Sequence, residues 1–238
     1  MAKRHLFSLN APKNWPIERK KYTWITRPSP GPHKLEKCLP LNLLIKHLLK
    51  YSRTARETRT ILNSGEILVD NKIRKDQKFP IGIMDTIHVK KTKENFRLIV
   101  NQDNKYELKK ITEAESKLKP CRIINKKTLK KGKVQLNLFD GRNILVDKDI
   151  YKVGDTVIFD LEKNKIVDHL KLDKGAMVYI LDGKYIGHIG KVNDIVNETG
   201  FKANKILFSV NKEKYETLKD YAFVIPEELN KKWIQWQI

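Results

Sequence analysis

Three glycines crowd into DGKYIGHIGKV, Asp182 to Val192, in a chain of 238 residues with eleven glycines. Glycine-rich turns can cradle phosphates, because backbone amides reach the ligand where no side chain intervenes. A P-loop needs glycine, four residues, then Gly-Lys-Ser/Thr. With Gly190-Lys191 as its close, the opening position is Tyr185 and the metal-binding hydroxyl position is Val192. That motif is excluded. G-x-G-x-x-G fails as well, since Gly183 and Gly187 are four apart and no helical pattern follows. The glycines are therefore expected to serve backbone geometry. The other reactive residue types are dispersed. His5, His33, His47, His88, His169 and His188 form no HxH or HxxxH pair. Cys38 and Cys121 are too few for a zinc site or a disulfide scaffold. Asp140 and Asp182 each precede a glycine, where aspartate is ordinary turn chemistry. No catalytic residues, no metal and no cofactor are expected.

Charge is the larger signal. Lys and Arg number 49 against 28 Asp and Glu, a net +21. Such a surplus marks a polyanion partner, nucleic acid first. It is uneven: 19 basic against 7 acidic residues over 1–90, 20 against 12 over 91–172, and 10 against 9 over 173–238. The grip belongs to the first two-thirds, and the glycine cluster lies in the nearly neutral third. No apolar run is long enough to span a bilayer. Residues 1–10 lack the apolar core of a signal peptide, so a cytoplasmic location is expected.

Those residues must be held by elements, and the punctuation of the chain suggests four regions. Residues 1–40 carry six of the nine prolines and nine Lys/Arg, with Trp15 and Trp24. Proline removes amide donors and fixes φ. This region reads as an extended basic arm whose aromatic rings stack on bases. Residues 41–94 begin with LNLLIKHLLKY, a helix by its leucines at 44 and 48. A second helix follows, opened by a Thr54/Glu57 capping box and closed near Gly65. Arg53, Arg56 and Arg59 recur every third residue and form a stripe on it. EILVD and KIRK then form a hairpin about Asp70-Asn71, followed by strand DTIHVK. Residues 95–172 read as strands turning at Asp103-Asn104, Asp140-Gly141 and Lys163-Asn164, with a short capped helix from Thr112. The lysine-rich 125–133 reads as a loop. Residues 173–238 form a last β unit, ending in a tail with Trp233 and Trp236. The fold class expected is α+β and multi-domain: a small α/β RNA-binding domain followed by mostly β units.

Three resemblances sharpen this reading. SRTARETRTILNSGEILVDNKI resembles the S-four RNA-binding domain, with Leu44, Leu48, Gly65, Ile67 and Val69 at its pattern positions. It departs at Thr58, where that pattern has alanine, and at Thr54-Ala55, where it has Ser-Arg. KGAMVYILDGKYIGHIGKV resembles a KOW motif, an SH3-like strand–loop–strand element, through Gly175, Gly183, Gly187, Gly190, Val178 and Val192. Many such motifs have lysine where this chain has Ile186. The order of arm, S-four-like domain, barrel-like β domain and KOW unit is similar to the archaeal/eukaryotic-type (e-type) small-subunit ribosomal protein four family. KRHLFSLNAPKNW, RPSPGPHKLEKCLPL, ENFRLI and IVDHLKLDKGAMVYI carry that likeness along almost the whole chain. The short length and the lack of a long basic C-terminal extension lean archaeal.

The resemblance implies a non-catalytic constituent of the cytoplasmic small ribosomal subunit. Its partners would be small-subunit ribosomal RNA and neighbouring small-subunit ribosomal proteins, with no membrane and no homo-oligomer. The RNA contacts expected are Lys3, Arg4, His5, Lys13, Trp15, Arg27, His33 and Lys34 in the arm. On the S-four-like domain they are Arg53, Arg56, Arg59, Lys72, Arg74 and Lys75. The KOW turn is assigned to Gly183, Gly187 and Gly190. Two alternatives stand beside this reading. One is an RNA-modifying enzyme with an S-four domain, such as a pseudouridine synthase. The other is a KOW-type transcription elongation factor.

Overall fold

The computed structural model describes residues 5–147, 149–196, 203–210 and 213–226. Strands dominate, and the chain divides into two compact units. The first comprises Met1–Val100, Asn104–Lys119 and Leu161–Lys163; the second comprises Asn101–Asp103, Pro120–Asp160 and Asn164–Ile238.

In the first unit, β1 (Leu6–Phe7) pairs with β2 (Trp24–Ile25), and β3 (Cys38–Pro40) leads into helical turn α1 (Leu41–Leu43). Residues Leu44–Leu48 continue α1 as a wider π-helical turn, with the Leu49 amide donating to the Leu44 carbonyl. Helix α2 (Ala55–Asn63) follows, then β4 (Ile67–Val69), β5 (Lys72–Ile73), β6 (Pro80–Gly82) and β7 (Thr86–Val89). β8 (Glu94–Val100), β9 (Tyr106–Ile111) and the short helix α3 (Glu113–Lys117) complete it. The main sheet has the order β5-β4-β7-β8-β9, all antiparallel, and β3 pairs separately with β6.

Local chemistry accounts for most of these boundaries. Thr54 and Glu57 form the capping box of α2, and Thr112 and Glu115 that of α3. Asp70 and Asn71 both take the left-handed conformation that a two-residue hairpin turn requires. The first helix differs from the 44/48 expectation. Leu41, Leu43, Leu44 and Ile45 are buried, whereas Leu48 is only partly so. A π turn holds more residues than an α turn, so positions four apart drift off one face.

The proline-rich region is not an arm hanging off this unit, which corrects the reading of residues 1–40. Three long-range ties hold it. Cys38, Leu39 and Pro40 pair with Gly82, Ile81 and Pro80. The indole of Trp15, fully buried, donates to the Cys38 carbonyl at 2.7 Å. The third tie is a buried charge network. His33 Nε2 lies 3.2 and 3.0 Å from the two carboxylate oxygens of Asp85. The ammonium of Lys119 donates at 2.6 Å to both Asp85 and Asp70. The Gly82 amide donates to Asp85 at 2.8 Å. A side chain on Gly82 would start 2.3 Å from the His33 ring, so glycine is what lets the imidazole lie against β6. Burial alone would push the Asp85 carboxyl up. The charges and hydrogen bonds of His33 and Lys119 outweigh it and hold the carboxyl below the usual range. Burial, with help from Asp85, pushes the Cys38 thiol up to about 12, so Cys38 is an inert core residue.

The second unit holds two five-stranded antiparallel sheets. The first is built from β10 (Leu118–Thr128, within this unit from Pro120), β11 (Val134–Leu138), β12 (Asn143–Val146), β13 (Thr156–Asp160) and β14 (Lys165–Leu170). Its order is β12-β11-β10-β13-β14. Asn125–Thr128, expected in a loop, extends β10 and pairs with Val134–Asn137. The buried face of β11 draws its partner into register, and the loop shrinks to Leu129–Lys133. The second sheet contains β15 (Met177–Ile180), β16 (Ile189–Val196), β17 (Lys205–Val210), β18 (Glu213–Leu218) and β19 (Ala222–Val224), in the order β18-β17-β16-β15-β19. Val178, Ile180, Val192, Ile206, Phe208 and Val224 form its core.

The Asp85 network yields a pH and mutational prediction. A carboxyl whose folded pKa is depressed stabilises the fold fully above its unfolded value, roughly 3.9. That contribution disappears as pH falls from there through the folded value. Resistance of the wild type to denaturant should therefore weaken progressively below about pH 4, and Asp85→Asn should flatten that dependence. Lys119→Met leaves two carboxylates without their cation and should cost about 3–5 kcal/mol at neutral pH. A change within error of zero would remove the network from its structural role.

Candidate nucleic-acid interface

Residues 5–40 acquire order without long regular elements because side chains take over the work of missing amides. Ser8 Oγ lies 2.5 Å from the carbonyls of both Arg19 and Tyr22. The Arg19 guanidinium donates to the carbonyls of Ala11 (2.7 Å), Pro12 (2.5 Å) and Leu9 (3.3 Å). With β1 and β2 fixed, Phe7 stacks on Trp24 at 4.2 Å and His5 packs against the same indole at 5.4 Å. Trp24 remains 54% exposed.

The α2 region supplies cations. Glu57, the one carboxylate on its first turn, accepts the amides of Arg53 and Thr54. Those bonds, Arg53 first, hold its carboxyl below the ordinary range. It is committed to the cap. Arg56 and Arg59 are exposed on the helix, and Arg53 is exposed just before the cap rather than within the helix.

Between the β1–β2 ribbon and the α1–α2 segment lies a groove of about 870 Å³. Its cationic lining is Lys21, Lys46, Lys50 and Arg53, with Glu18 as the one carboxylate of the lining. Tyr22, Trp24, Asn42 and His47 also line it. Burial and the neighbouring cations Lys46 and Lys21 lower the pKa of His47, against a smaller opposing pull from Glu18. His47 is therefore a neutral hydrogen-bonding group here at pH 7. Lys50 adopts a left-handed backbone (φ 58°), which turns the chain out of the π helix toward Ser52 and Arg53.

The groove brings Arg53 together with lysines the sequence reading passed over, while Arg56 and Arg59 continue along α2 outside it. His5, Lys13, Lys34, Lys72 and Lys75 are exposed, and Arg27 is half-buried. Arg74 is half-buried and sits over the Phe79 ring at 4.3 Å. Lys3 and Arg4 lie outside the described residues, as do Trp233 and Trp236. Two of the expected contacts need correction. Trp15 is a core residue with no face for a base, and His33 is committed to Asp85 inside the unit. The exposed aromatic pair is instead Trp24 with Phe7. The alternation in LFSLN and YTWIT was the available signal, since two short runs can pair across a proline-rich turn. Charge alone also misleads elsewhere. Arg97 is buried and donates to the Glu115 and Leu118 carbonyls at the end of α3. The Arg122 guanidinium is spent on the Asp220 and Ala222 carbonyls.

In the second unit, DGKYIGHIGKV joins β15 to β16. Gly183 and Gly187 have φ of 88° and 78°. A side chain on Gly187 would start 2.5 Å from the Asn101 backbone, and one on Gly190 would start 2.7 Å from Phe208 and the Ser209 carbonyl. These glycines permit turning and close packing. Ile186 is buried at this tip. Among the described residues, no cluster of three His, Cys, Asp or Glu could hold a metal, and no helix is long and apolar enough to cross a membrane.

Known proteins share this design. The model of ribosomal family S4e matches residues 92–166, and that of the RS4NT (NUC023) domain matches residues 2–36. Small ribosomal subunit protein eS4 of Aeropyrum pernix is 42% identical over 231 residues, covering 93% of this chain and 91% of its own. The protein of that name from Methanococcus maripaludis is 36% identical over 234 residues, covering 95% of each. The crystal structure of 30S ribosomal protein S4e from Thermoplasma acidophilum matches with a TM-score of 0.71 at 29% identity, covering 79% of this chain and 95% of that one.

Reassigning Trp15 from surface to core is testable. Trp15→Phe keeps an aromatic ring but leaves the Cys38 carbonyl without its donor, so unfolding stability should fall by about 1–3 kcal/mol. The salt dependence of RNA binding should stay the same. A stable variant with weakened RNA binding would return Trp15 to the interface.

Proposed function

We propose, because this chain belongs to ribosomal family S4e, that it is a structural constituent of the small ribosomal subunit and binds small-subunit ribosomal RNA. The observation that carries the RNA contact is the arginine face of α2. Arg56 and Arg59 are exposed, and the nearby carboxylate, Glu57, is occupied by the cap. Phosphate contacts of this kind position a protein on RNA through charge. His5, Lys13, Lys34, Lys72 and Lys75 extend the basic surface, with Lys3 and Arg4 assigned to it from sequence alone.

The protein works in the cytoplasmic ribosome, beside other small-subunit ribosomal proteins, as a monomeric component without enzymatic activity. We read residues 41–94 as an S-four-like domain, 95–172 as a barrel-like central β domain and 173–238 as a KOW-type unit. Residues 5–40 are a basic segment docked on the S-four-like domain. The strand–loop–strand of β15 and β16, with glycines at its turn, supports the KOW reading. Its buried Ile186 and near-neutral surroundings favour a protein or packing role for that tip. The relatives from Methanococcus maripaludis and Aeropyrum pernix, at 36% and 42% identity, support the archaeal lean.

Neutralising Z phosphates gives a log–log salt slope of about −0.7Z to −0.9Z. Arg56→Ala with Arg59→Ala should therefore reduce the slope of small-subunit rRNA binding by about 1.4–1.8, with weaker affinity at both low and high salt. An unchanged slope removes α2 from the interface. Tight binding that ignores salt altogether would contradict the proposal as a whole.

A further inference from the structure

We infer that the groove between the β1–β2 ribbon and the α1–α2 segment is a site for an unpaired RNA nucleotide. Its base stacks on Trp24 and its phosphates meet Lys46, Lys50 and Arg53. The inference rests on the RNA-binding reading above and narrows it from a charged surface to a specific subsite.

Three independent features converge there. The first is charge. Lys21, Lys46, Lys50 and Arg53 line the groove, and its carboxylate, Glu18, is already 3.2 Å from the Lys21 ammonium. This lining suits an anionic occupant. The second is a stacking surface. Phe7 lies nearly parallel behind the Trp24 indole, with an interplanar angle of 24°, and props up a ring more than half exposed. Tyr22, also exposed, lines the same groove. Aromatic faces beside cations match a base attached to a phosphate, whereas a simple anion would leave them idle. The third is an unmet hydrogen bond. Asn42 lines the groove and is buried; its Nδ2 donates to Thr26 at 2.6 Å, while its Oδ1 has no protein partner. The wall of the groove thus holds a buried acceptor that the protein itself leaves unmet.

The same geometry selects against duplex RNA. A paired base is already stacked on both faces, so it reaches Trp24 only after leaving the helix. Loops and bulges present bases that need no such opening. The volume, about 870 Å³, is that of a small-molecule site rather than a groove for a whole helix.

The test uses the full chain and three probes. These are a single-stranded RNA hexanucleotide carrying 2-aminopurine, a blunt duplex of the same sequence, and intact small-subunit rRNA. Wild type should bind the single strand and quench its fluorescence. Trp24→Ala should weaken that binding about 10- to 100-fold and leave the duplex unchanged within about twofold. Trp24→Tyr should recover most of the loss. Lys46→Ala should weaken the single strand by lowering its salt slope by about 0.7, with the fold intact. Equal effects on single strand and duplex, no effect of Trp24→Ala, or no binding of the single strand by wild type would each overturn the subsite. If rRNA binding survives such a result, the RNA-binding function stands without it; if rRNA does not bind either, both fall.

Discussion

A single buried carboxylate, Asp85, sets the geometry of the first unit. Its oxygens receive His33 from the proline-rich segment, Lys119 from beyond α3 and the Gly82 amide from β6. Lys119 continues the network to Asp70 at the β4–β5 turn. Removing such a charge from water is costly, and only full satisfaction by opposite charge and hydrogen bonds makes it tolerable. The network therefore specifies one arrangement of four distant chain segments. Residues 5–40 become a fixed wall of the groove, with Trp24 already in place. A segment ordered before RNA arrives loses less entropy on binding than one ordered by it.

Local chemistry was legible in the sequence. Both capping boxes, the Asp70-Asn71 hairpin and the turns at Asn104, Gly141 and Asn164 rest on residues within a few positions of one another. The β character of the second unit was legible too, through period-2 runs such as KILFSV. What stayed hidden depends on distant pairs. His33 and Asp85 are 52 positions apart, and Lys119 and Asp85 are 34 apart. Nothing in the composition of residues 1–40 announces that Arg19 and Ser8 will replace a hydrogen-bond ladder. The prolines correctly exclude helices there, but they do not exclude order. The π turn was likewise hidden, because it departs from the spacing on which a helix reading relies.

The candidate site was half legible. Charge counting singled out the first two-thirds of the chain, and Arg56 and Arg59 are exposed on α2, with Arg53 just ahead of its cap. It could not tell a solvated cation from a structural one: Arg97, Lys119 and Arg122 are all spent inside the protein. It could not tell Trp15 from Trp24 either, since both sit among prolines and lysines. The glycine cluster marks the opposite case. Its glycines serve turning and close approach, with Gly187 against the Asn101 backbone.

Sedimentation of cell extract through a sucrose gradient, before and after a high-salt wash, tests the central claim most directly. The account predicts that the chain travels with small subunits at low salt and that salt releases it in proportion to its phosphate contacts. A chain found wholly in a free pool at low salt, with the small subunits lacking it, would contradict the account.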